Sequence, residues 1–337
     1  MKETVCFEDV LLVPKYSTVE SRTTTDISSQ LSPSVVLQIP VIAAPMDTIS
    51  GGDMAAAMHT AGGVAIIHRY NTVEEQTDLV KLSSELGAVN IGAAVGVTGD
   101  FLERSVELVA AGAKIICIDT AHGHHILMMR ALKTLKARLS DDIHIMAGNV
   151  ATKEGFEELS DWGANSVRVG VGGGSICSTR LVSGHGMPTL QSILDCAKSE
   201  RRAKIIADGG IKTSGDIVKA LAAGADFVIL GSMLAGTKQA PGNIFTRNDG
   251  KKYKVYRGMA SSDAQKDWRG KTSTPEGVST TIPYKGDVLK VLKNIKGGIS
   301  SGLSYTGART ITELQNKSEF IKQSTAGQRE SFTHILL

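Results

Sequence analysis

Residues 170–180 read Gly170-Val-Gly-Gly-Gly-Ser-Ile-Cys177-Ser-Thr-Arg180. Gly170, Gly172, Gly173 and Gly174 let the backbone take φ > 0 and approach a ligand or ion closely. Cys177 follows directly, flanked by Ser175, Ser178 and Thr179. A thiol on a glycine loop among hydroxyls has the setting of a nucleophile. A packing cysteine sits instead inside an apolar run, as Cys117 does in Lys114-Ile-Ile-Cys-Ile-Asp119. The plainer alternative is a tight turn with an incidental thiol, since glycine loops are common.

What surrounds this loop decides what it can do. Eight short apolar runs recur: Pro40–Met46, Gly63–His68, Asn90–Val97, Ile115–Asp119, His144–Val150, Ser166–Gly172, Lys204–Gly210 and Phe227–Ser232. Helix-like segments lie between them, such as Asp100–Ala111, Ile126–Leu139 and Ser214–Ala223. Strand–helix alternation predicts a parallel sheet with right-handed crossovers. Eight units in 337 residues predict an α/β fold, a (β/α)8 TIM barrel, which runs to about 250 residues as one domain. Glycines at 112 and 224, inside Ala-Gly-Ala phrases, are placed to end helices. Polar and glycine residues collect after the runs: Met46-Asp47-Thr48, His68-Arg69-Tyr70, Asp119 to His124, Gly148-Asn149, the cysteine loop, Asp208-Gly209-Gly210 and Gly231-Ser232. In a barrel all of these reach one rim, where active sites sit.

Residues 237–285 break the pattern with a polar stretch rich in Lys, Gly, Ser and Thr. A stretch this long predicts a lid, a hairpin insertion or disorder. Helical signals resume at Asp287–Ile295. The expectation is a single catalytic domain over residues 1–337, with 237–285 as a flap after the eighth strand.

Composition excludes several function classes. Net charge is +3 and the basic residues are dispersed, which gives no footprint for nucleic acid. No apolar run is long enough for a membrane span, and the first residues carry no secretory h-region. Four cysteines without CxxC spacing suggest a reducing, cytoplasmic setting. Asp119-Thr-Ala-His122-Gly-His124-His125 has metal-ligand residue types, but neighbouring histidines in a strand-like loop point apart and no second cluster completes a tetrahedral set. No Gly-x-Gly-x-x-Gly stands at a strand–helix junction.

In chain order these motifs resemble the inosine-5′-monophosphate dehydrogenase and GMP reductase family. The likeness runs from Phe7-Glu-Asp-Val-Leu-Leu-Val-Pro14 through Ala44-Pro-Met-Asp-Thr48 to Gly298-Ile-Ser-Ser301 and Ala326-Gly-Gln-Arg-Glu-Ser331. Dehydrogenases of the family usually carry a paired regulatory (CBS) insertion after the second strand. Here only Asn71–Val89 separates strands two and three, so no CBS module is expected. The family's loop reads Gly-Pro-Gly where this chain has Gly172-Gly173-Gly174, which adds backbone freedom.

The resemblance implies that the Cys177 thiolate adds to C2 of a purine nucleotide, splitting one hard step into two. It implies a proton-handling role for Thr179, paired in the reductase branch with Glu276. On local sequence alone Thr179 is equally a turn hydroxyl. Asp208 resembles the carboxylate that accepts both ribose hydroxyls. Ser175, Gly210, Gly231, Ser232 and Tyr256 resemble a 5′-phosphate site. Met46, Met259 and Ala260 fall to the base and substrate pocket, and Asp119 and Asn149 to the dinucleotide. In the dehydrogenase branch K⁺ sits among loop carbonyls, which makes Gly172, Gly174 and Cys177 the candidate cation ligands. The family's homotetramer is implied as well.

Both branches share the covalent intermediate. The interval Met259–Tyr284 is short, contains Trp268-Arg269-Gly270, and lacks the Arg-Tyr pair of the dehydrogenase flap. That points to GMP reductase using NADPH. IMP dehydrogenase using NAD⁺ is the alternative, because Asp119-Thr-Ala-His-Gly-His, Glu74-Glu-Gln76 and residues 326–331 resemble that branch more, and Arg269 could replace the flap pair. A non-catalytic purine-nucleotide sensor is a more distant alternative, which retention of Cys177, Thr179 and Glu276 disfavours.

Overall fold

The computed structural model describes residues 3–331 and 333. Eight parallel strands close a barrel: β1 (Val41–Ala43), β2 (Val64–Ile67), β3 (Gly92–Val95), β4 (Ile115–Asp119), β5 (His144–Val150), β6 (Ser166–Val169), β7 (Lys204–Asp208) and β8 (Phe227–Leu230). The ring is sealed where Val228 of β8 pairs with Val41 of β1. Each strand lies inside one of the eight apolar runs. The runs Ile115–Asp119 and His144–Val150 coincide with their strands, and the other six run past theirs into rim loops by one to three residues.

The strands read as continuous apolar runs because both faces are buried. Ile42, Ile66, Ile115, Cys117, Met146 and Ile206 form the interior cluster. Their neighbours Val41, Ile67, Ile116 and Ala207 join the helices in the larger outer core. Cys117 is thus a barrel-filling thiol. A hairpin of Ser29–Ser32 and Val35–Leu37 gives Leu31, Val35 and Leu37 to the interior cluster and plugs the end where the strands begin. The rim at the other end stays open for a site.

Helices Phe101–Ala110, Ile126–Arg138 and Ser214–Ala222 match expectation to a residue or two. Gly112 and Gly224 have φ of +115° and +111° and end their helices as anticipated. One helix, Val73–Glu85, makes the whole crossover from β2 to β3. Near the chain ends, Val10–Leu12 pairs antiparallel with Phe320–Lys322, and Gln328 Nε2 donates to Glu8 Oε2 at 3.0 Å, so two distant motifs meet.

Of the three alternatives for residues 237–285 the hairpin insertion is the one found, and the last long helix extends beyond its expected end. Residues 237–285 are an ordered insertion: strands Phe245–Thr246, Lys252–Arg257 and Ser279–Pro283 form an antiparallel sheet, and helix Ser262–Arg269 bridges the last two. Lys254, 2% exposed, anchors this sheet by donating to the carbonyl oxygens of Thr237 and Ala240. The helix expected at Asp287–Ile295 runs over Val288–Thr306. Its Gly298 and Gly302 face Ser214 and Val218, where an added Cβ would come within 2.3 and 2.5 Å. These glycines allow close helix packing and do not break the helix. Among the described residues no helix is long and apolar enough to cross a membrane.

His144 opens β5 at 2% exposure, with Nε2 2.8 Å from Ser166 Oγ and Nδ1 unpaired. Burial, aided by the charge of Lys136, pushes its pKa down to about 4. The unfolded chain takes up this proton near pH 6.5 and the folded chain does not. The stabilisation is therefore intact above about pH 6.5 and is lost as pH falls towards 4, on the order of 3 kcal/mol over that window. Urea unfolding of wild type and His144→Gln from pH 7.5 to 4.5 should show a steeper loss in the wild type. Parallel losses would refute this origin.

Candidate active site

The cysteine loop leaves β6 pressed against the end of β7. Gly170, at φ +145°, has no room for a side chain: a Cβ would stand 1.9 Å from the carbonyl oxygen of Asp208. Gly173 is confined in the same way, since a Cβ there would stand 2.6 Å from Thr189 Oγ1. The loop then turns, with the Cys177 N–H donating to the Gly174 carbonyl at 3.1 Å.

From there it pairs with a segment a hundred residues later. Val278 N–H donates to Ile176 O at 3.0 Å, and Ser178 N–H to Glu276 O at 2.9 Å. Glu276 N–H in turn donates to Ala260 O at 3.1 Å. Backbone hydrogen bonds therefore bring Cys177, Glu276 and Ala260 together from three stretches of chain. Cys177 is exposed, and its Sγ lies 3.2 Å from Thr179 Oγ1. Burial pushes the Cys117 and Cys196 thiols up to about 11 and 12. Burial and the hydrogen bond to Asp9 also push up Cys6.

A chain of charges crosses the barrel mouth. Arg168, in the middle of β6 and 7% exposed, places Nε and Nη2 at 3.0 and 2.8 Å from Asp208 Oδ2. Its Nη1 is 2.6 Å from Asp119 Oδ1. Arg69 Nε stands 3.5 Å from Asp119 Oδ2. Burial alone would raise the Asp119 carboxyl, but Arg168 and Arg69 hold it below the ordinary range. Burial works against the Arg168 charge too, and Asp208 with Asp119 more than offsets it. Asn149 donates both amide hydrogens, to Gly170 O and to Asp208 Oδ2, each at 2.8 Å. Its acceptor oxygen alone remains for a ligand.

Ser175 Oγ and Tyr256 OH are 3.2 Å apart. Burial raises the Tyr256 pKa, which keeps the phenol neutral and able to donate. A Cβ on Gly231 would meet Tyr256 OH at 3.2 Å and Met46 Sδ at 3.5 Å, so backbone is bared beside this hydroxyl pair. The helix of the insertion forms the opposite wall. Trp268 packs edge-on to Tyr70 with centroids 5.2 Å apart, and the Arg269 guanidinium lies 4.2 Å from the Trp268 centroid. Arg257 ties the insertion to the barrel, with Nε and Nη2 at 3.0 and 2.6 Å from Asp47 Oδ2.

All the candidate catalytic and ligand-binding residues of the sequence line one cavity of about 470 Å³, from Met46 and Asp119 through the cysteine loop to Ser232, Met259 and Glu276. Arg168, Arg69, Tyr70 and Trp268 line it as well. Sequence reasoning assigned no role to Arg168, although a charge inside the apolar strand Ser166-Val-Arg-Val169 was a usable signal. His124 stands outside this cavity, with Nε2 3.0 Å from Glu158 Oε2. Among the described residues, no group of three or more His, Cys, Asp or Glu is arranged for a metal ion.

A barrel rim carrying an exposed thiol on a glycine loop, with carboxylates and a hydroxyl pair around one cavity, is the site of an enzyme built for a polar ligand. The family model for the IMP dehydrogenase / GMP reductase domain matches residues 4–334, and the chain belongs to this family of oxidoreductases acting on purine nucleotides. It is 35% identical over 473 aligned residues to the inosine-5′-monophosphate dehydrogenase of Nitrosopumilus maritimus (strain SCM1), covering 100% of this chain and 99% of the relative. It is 32% identical over 479 residues to the GMP reductase of Leishmania major, covering 99% and 97%. The crystal structure of a cysteine-to-alanine variant of GMP reductase from Trypanosoma brucei, in complex with guanosine 5′-monophosphate, superposes with a TM-score of 0.93. That chain is 31% identical, and the match covers 99% of this chain and 98% of the other.

The thiols differ enough in access to be told apart chemically. Brief iodoacetamide treatment at pH 7.5, followed by peptide mapping, should modify Cys177 well before Cys117 and Cys196. Equal labelling of all three would contradict the exposed loop.

Proposed function

We propose that the protein is a GMP reductase, converting GMP and NADPH to IMP, ammonia and NADP⁺. The observation that carries this reading is the form of the segment from Gly258 to Ser279. It is short and folded: helix Ser262–Arg269 rests on Tyr70 through Trp268, and the returning stretch Glu276–Val278 is hydrogen-bonded to the cysteine loop. A hydrolytic dehydrogenase needs a flap that delivers a water-activating pair. No Arg-Tyr pair occurs in this segment.

In this reading the Cys177 thiolate adds to C2 of GMP, and the C2–N bond breaks as the amino group takes a proton and leaves as ammonia. Thr179 and Glu276 handle that proton. NADPH supplies the hydride that then reaches C2, the C2–S bond breaks, and the thiolate is restored. Asp208 holds the ribose. Ser175, Gly210, Gly231, Ser232 and Tyr256 hold the phosphate through hydroxyls and bared backbone N–H groups. Met46, Met259 and Ala260 bound the base. Asp119, with the acceptor oxygen of Asn149, serves the dinucleotide. The carbonyls of Gly172, Gly174 and Cys177 are neutral oxygen donors of the kind that suits K⁺. The Gly174 carbonyl already accepts from Cys177 N–H. The reading includes a single catalytic domain, a homotetramer and a cytoplasmic setting, in keeping with four free thiols.

IMP dehydrogenase is the second reading, favoured by Arg269, which lines the cavity within the matching interval.

Two assays at the reduced-nicotinamide absorbance band decide the branch: GMP with NADPH, and IMP with NAD⁺. NADPH-dependent loss of GMP is expected. Sustained XMP formation without it would reverse the assignment, and Arg269→Ala should then stall the enzyme as its covalent adduct. Cys177→Ser and Cys177→Ala should abolish turnover, a loss of several orders of magnitude, with nucleotide affinity kept within a few fold. Glu276→Gln should slow ammonia release far more than hydride transfer, because only the leaving amine needs that proton. Equal slowing of both steps would remove Glu276 from the relay.

A further inference from the structure

Asp119 and Asp208 end two strands that are not neighbours, β4 and β7, yet one guanidinium reaches both. At Asp208 the donors converge on a single oxygen. Oδ2 accepts from Arg168 Nε, Arg168 Nη2 and Asn149 Nδ2 at 2.8–3.0 Å. Oδ1 accepts from no protein donor among the described residues, and Asp208 lines the cavity.

We propose that Arg168 is a positioning residue shared by the two halves of the site: it occupies Oδ2 of Asp208 so that Oδ1 alone reads the nucleotide's sugar diol, and it fixes the carboxylate of Asp119 on the dinucleotide side. The assignment of the two halves rests on the proposed function.

An ionised carboxylate offers about four lone-pair positions, two on each oxygen. Three donors saturate Oδ2. The two positions on Oδ1 match the two hydroxyls of a vicinal diol. Donors fixed on one oxygen also stop the carboxylate rotating, so the acceptor is oriented before the nucleotide arrives. Lysine cannot replace this arrangement. Its ammonium is a point charge without the planar fork that spans two carboxylates. At Asp119, Arg168 holds Oδ1 and Arg69 stands beside Oδ2, so both oxygens face cations. Without Arg168 that carboxylate keeps a single, longer contact and is free to turn.

The test reads binding as well as turnover. Dissociation constants for GMP and 2′-deoxy-GMP are measured by titration calorimetry on wild type and Arg168→Lys, with the KM for NADPH. The variant should lose about tenfold or more in GMP affinity but only about threefold in 2′-deoxy-GMP affinity, because the deoxynucleotide has already given up one bond to Oδ1. The KM for NADPH should also rise about tenfold. A preserved GMP to 2′-deoxy-GMP ratio, or a change confined to one ligand, overturns the proposal.

Asp208→Asn gives a second handle that spares the arginine. Arg168 should capture the amide oxygen and turn the NH₂ towards the diol, where neutral donation to the hydroxyl oxygens replaces charge-assisted acceptance, so this variant should lose about tenfold or more in GMP affinity. If Asp208→Asn bound GMP as tightly as the wild type, the diol would not depend on a charged Oδ1 acceptor and the proposal would fail. Should IMP be the substrate, IMP and 2′-deoxy-IMP replace the guanine pair without changing the logic. A wild type that binds neither nucleotide refutes the proposed function. A wild type that binds but shows none of these shifts refutes this inference alone.

Discussion

Arg168 carries a full positive charge at 7% exposure in the middle of a barrel strand. Such a charge costs several kcal/mol to bury, and only close, well-directed partners offset that cost. Two carboxylates supply the partnership, and they come from strands on either side of β6 within the barrel mouth. The pairing constrains everything nearby. Asp119 must stay ionised to satisfy Arg168, and Asp208 must present one edge to it. The interior above Cys117 is consequently polar, where the layers below are Ile, Val and Met. The apolar plug at the closed end and the charge chain at the open end divide one barrel into a part that supplies stability and a part that supplies a binding surface.

A second constraint acts through backbone alone. The cysteine loop, the chain after Gly258 and the chain around Glu276 are joined by main-chain hydrogen bonds, and Glu276 takes part in two of them. Side chains that would cooperate in proton and thiol chemistry are thus placed by groups that do not titrate or change rotamer. This is a preorganised arrangement, in which little has to be fixed at the moment of reaction. Glycines at 170 and 173 are required for it. Each stands where a Cβ would strike β7 or the helix that starts at Thr189.

The barrel was legible because its strands are buried on both faces and read as apolar runs, and because rim residues follow them directly. The members of the cavity could be placed for the same reason: a strand end in a barrel has one destination. Beyond the oddity of a charge in an apolar strand, the role of Arg168 was not legible, since its partners Asp119 and Asp208 are respectively 49 and 40 residues away. Residues 237–285 were legible only as one of three alternatives, with a hairpin insertion standing beside a lid and disorder. Their strands are short, antiparallel and half-exposed, and a buried lysine, Lys254, holds them to the barrel where a sequence reading expects a solvated side chain. At Val288–Thr306 the helical signal read to Ile295 stops short of Gly298 and Gly302, which mark a face where two helices nearly touch.

On the proposed reading, the same features explain why a reductase can work without a moving hydrolytic flap. Once ammonia has left, the nucleotide bound to Cys177 must meet a hydride before it meets water. Water is kept away most simply by a wall that stays in place. Here the wall is helix Ser262–Arg269, seated by Trp268 on Tyr70 and latched through Arg257, whose guanidinium bridges Asp47 of the barrel and Asp267 of that helix. Burial by itself would weaken the Arg257 charge, and its two carboxylate partners instead raise its pKa. Arg257 is therefore charged at any physiological pH. A flap meant to swing into the dinucleotide site would have to break the Arg257–Asp267 pair, a modest cost because Asp267 is exposed, and also lift Trp268 off Tyr70 at every turnover.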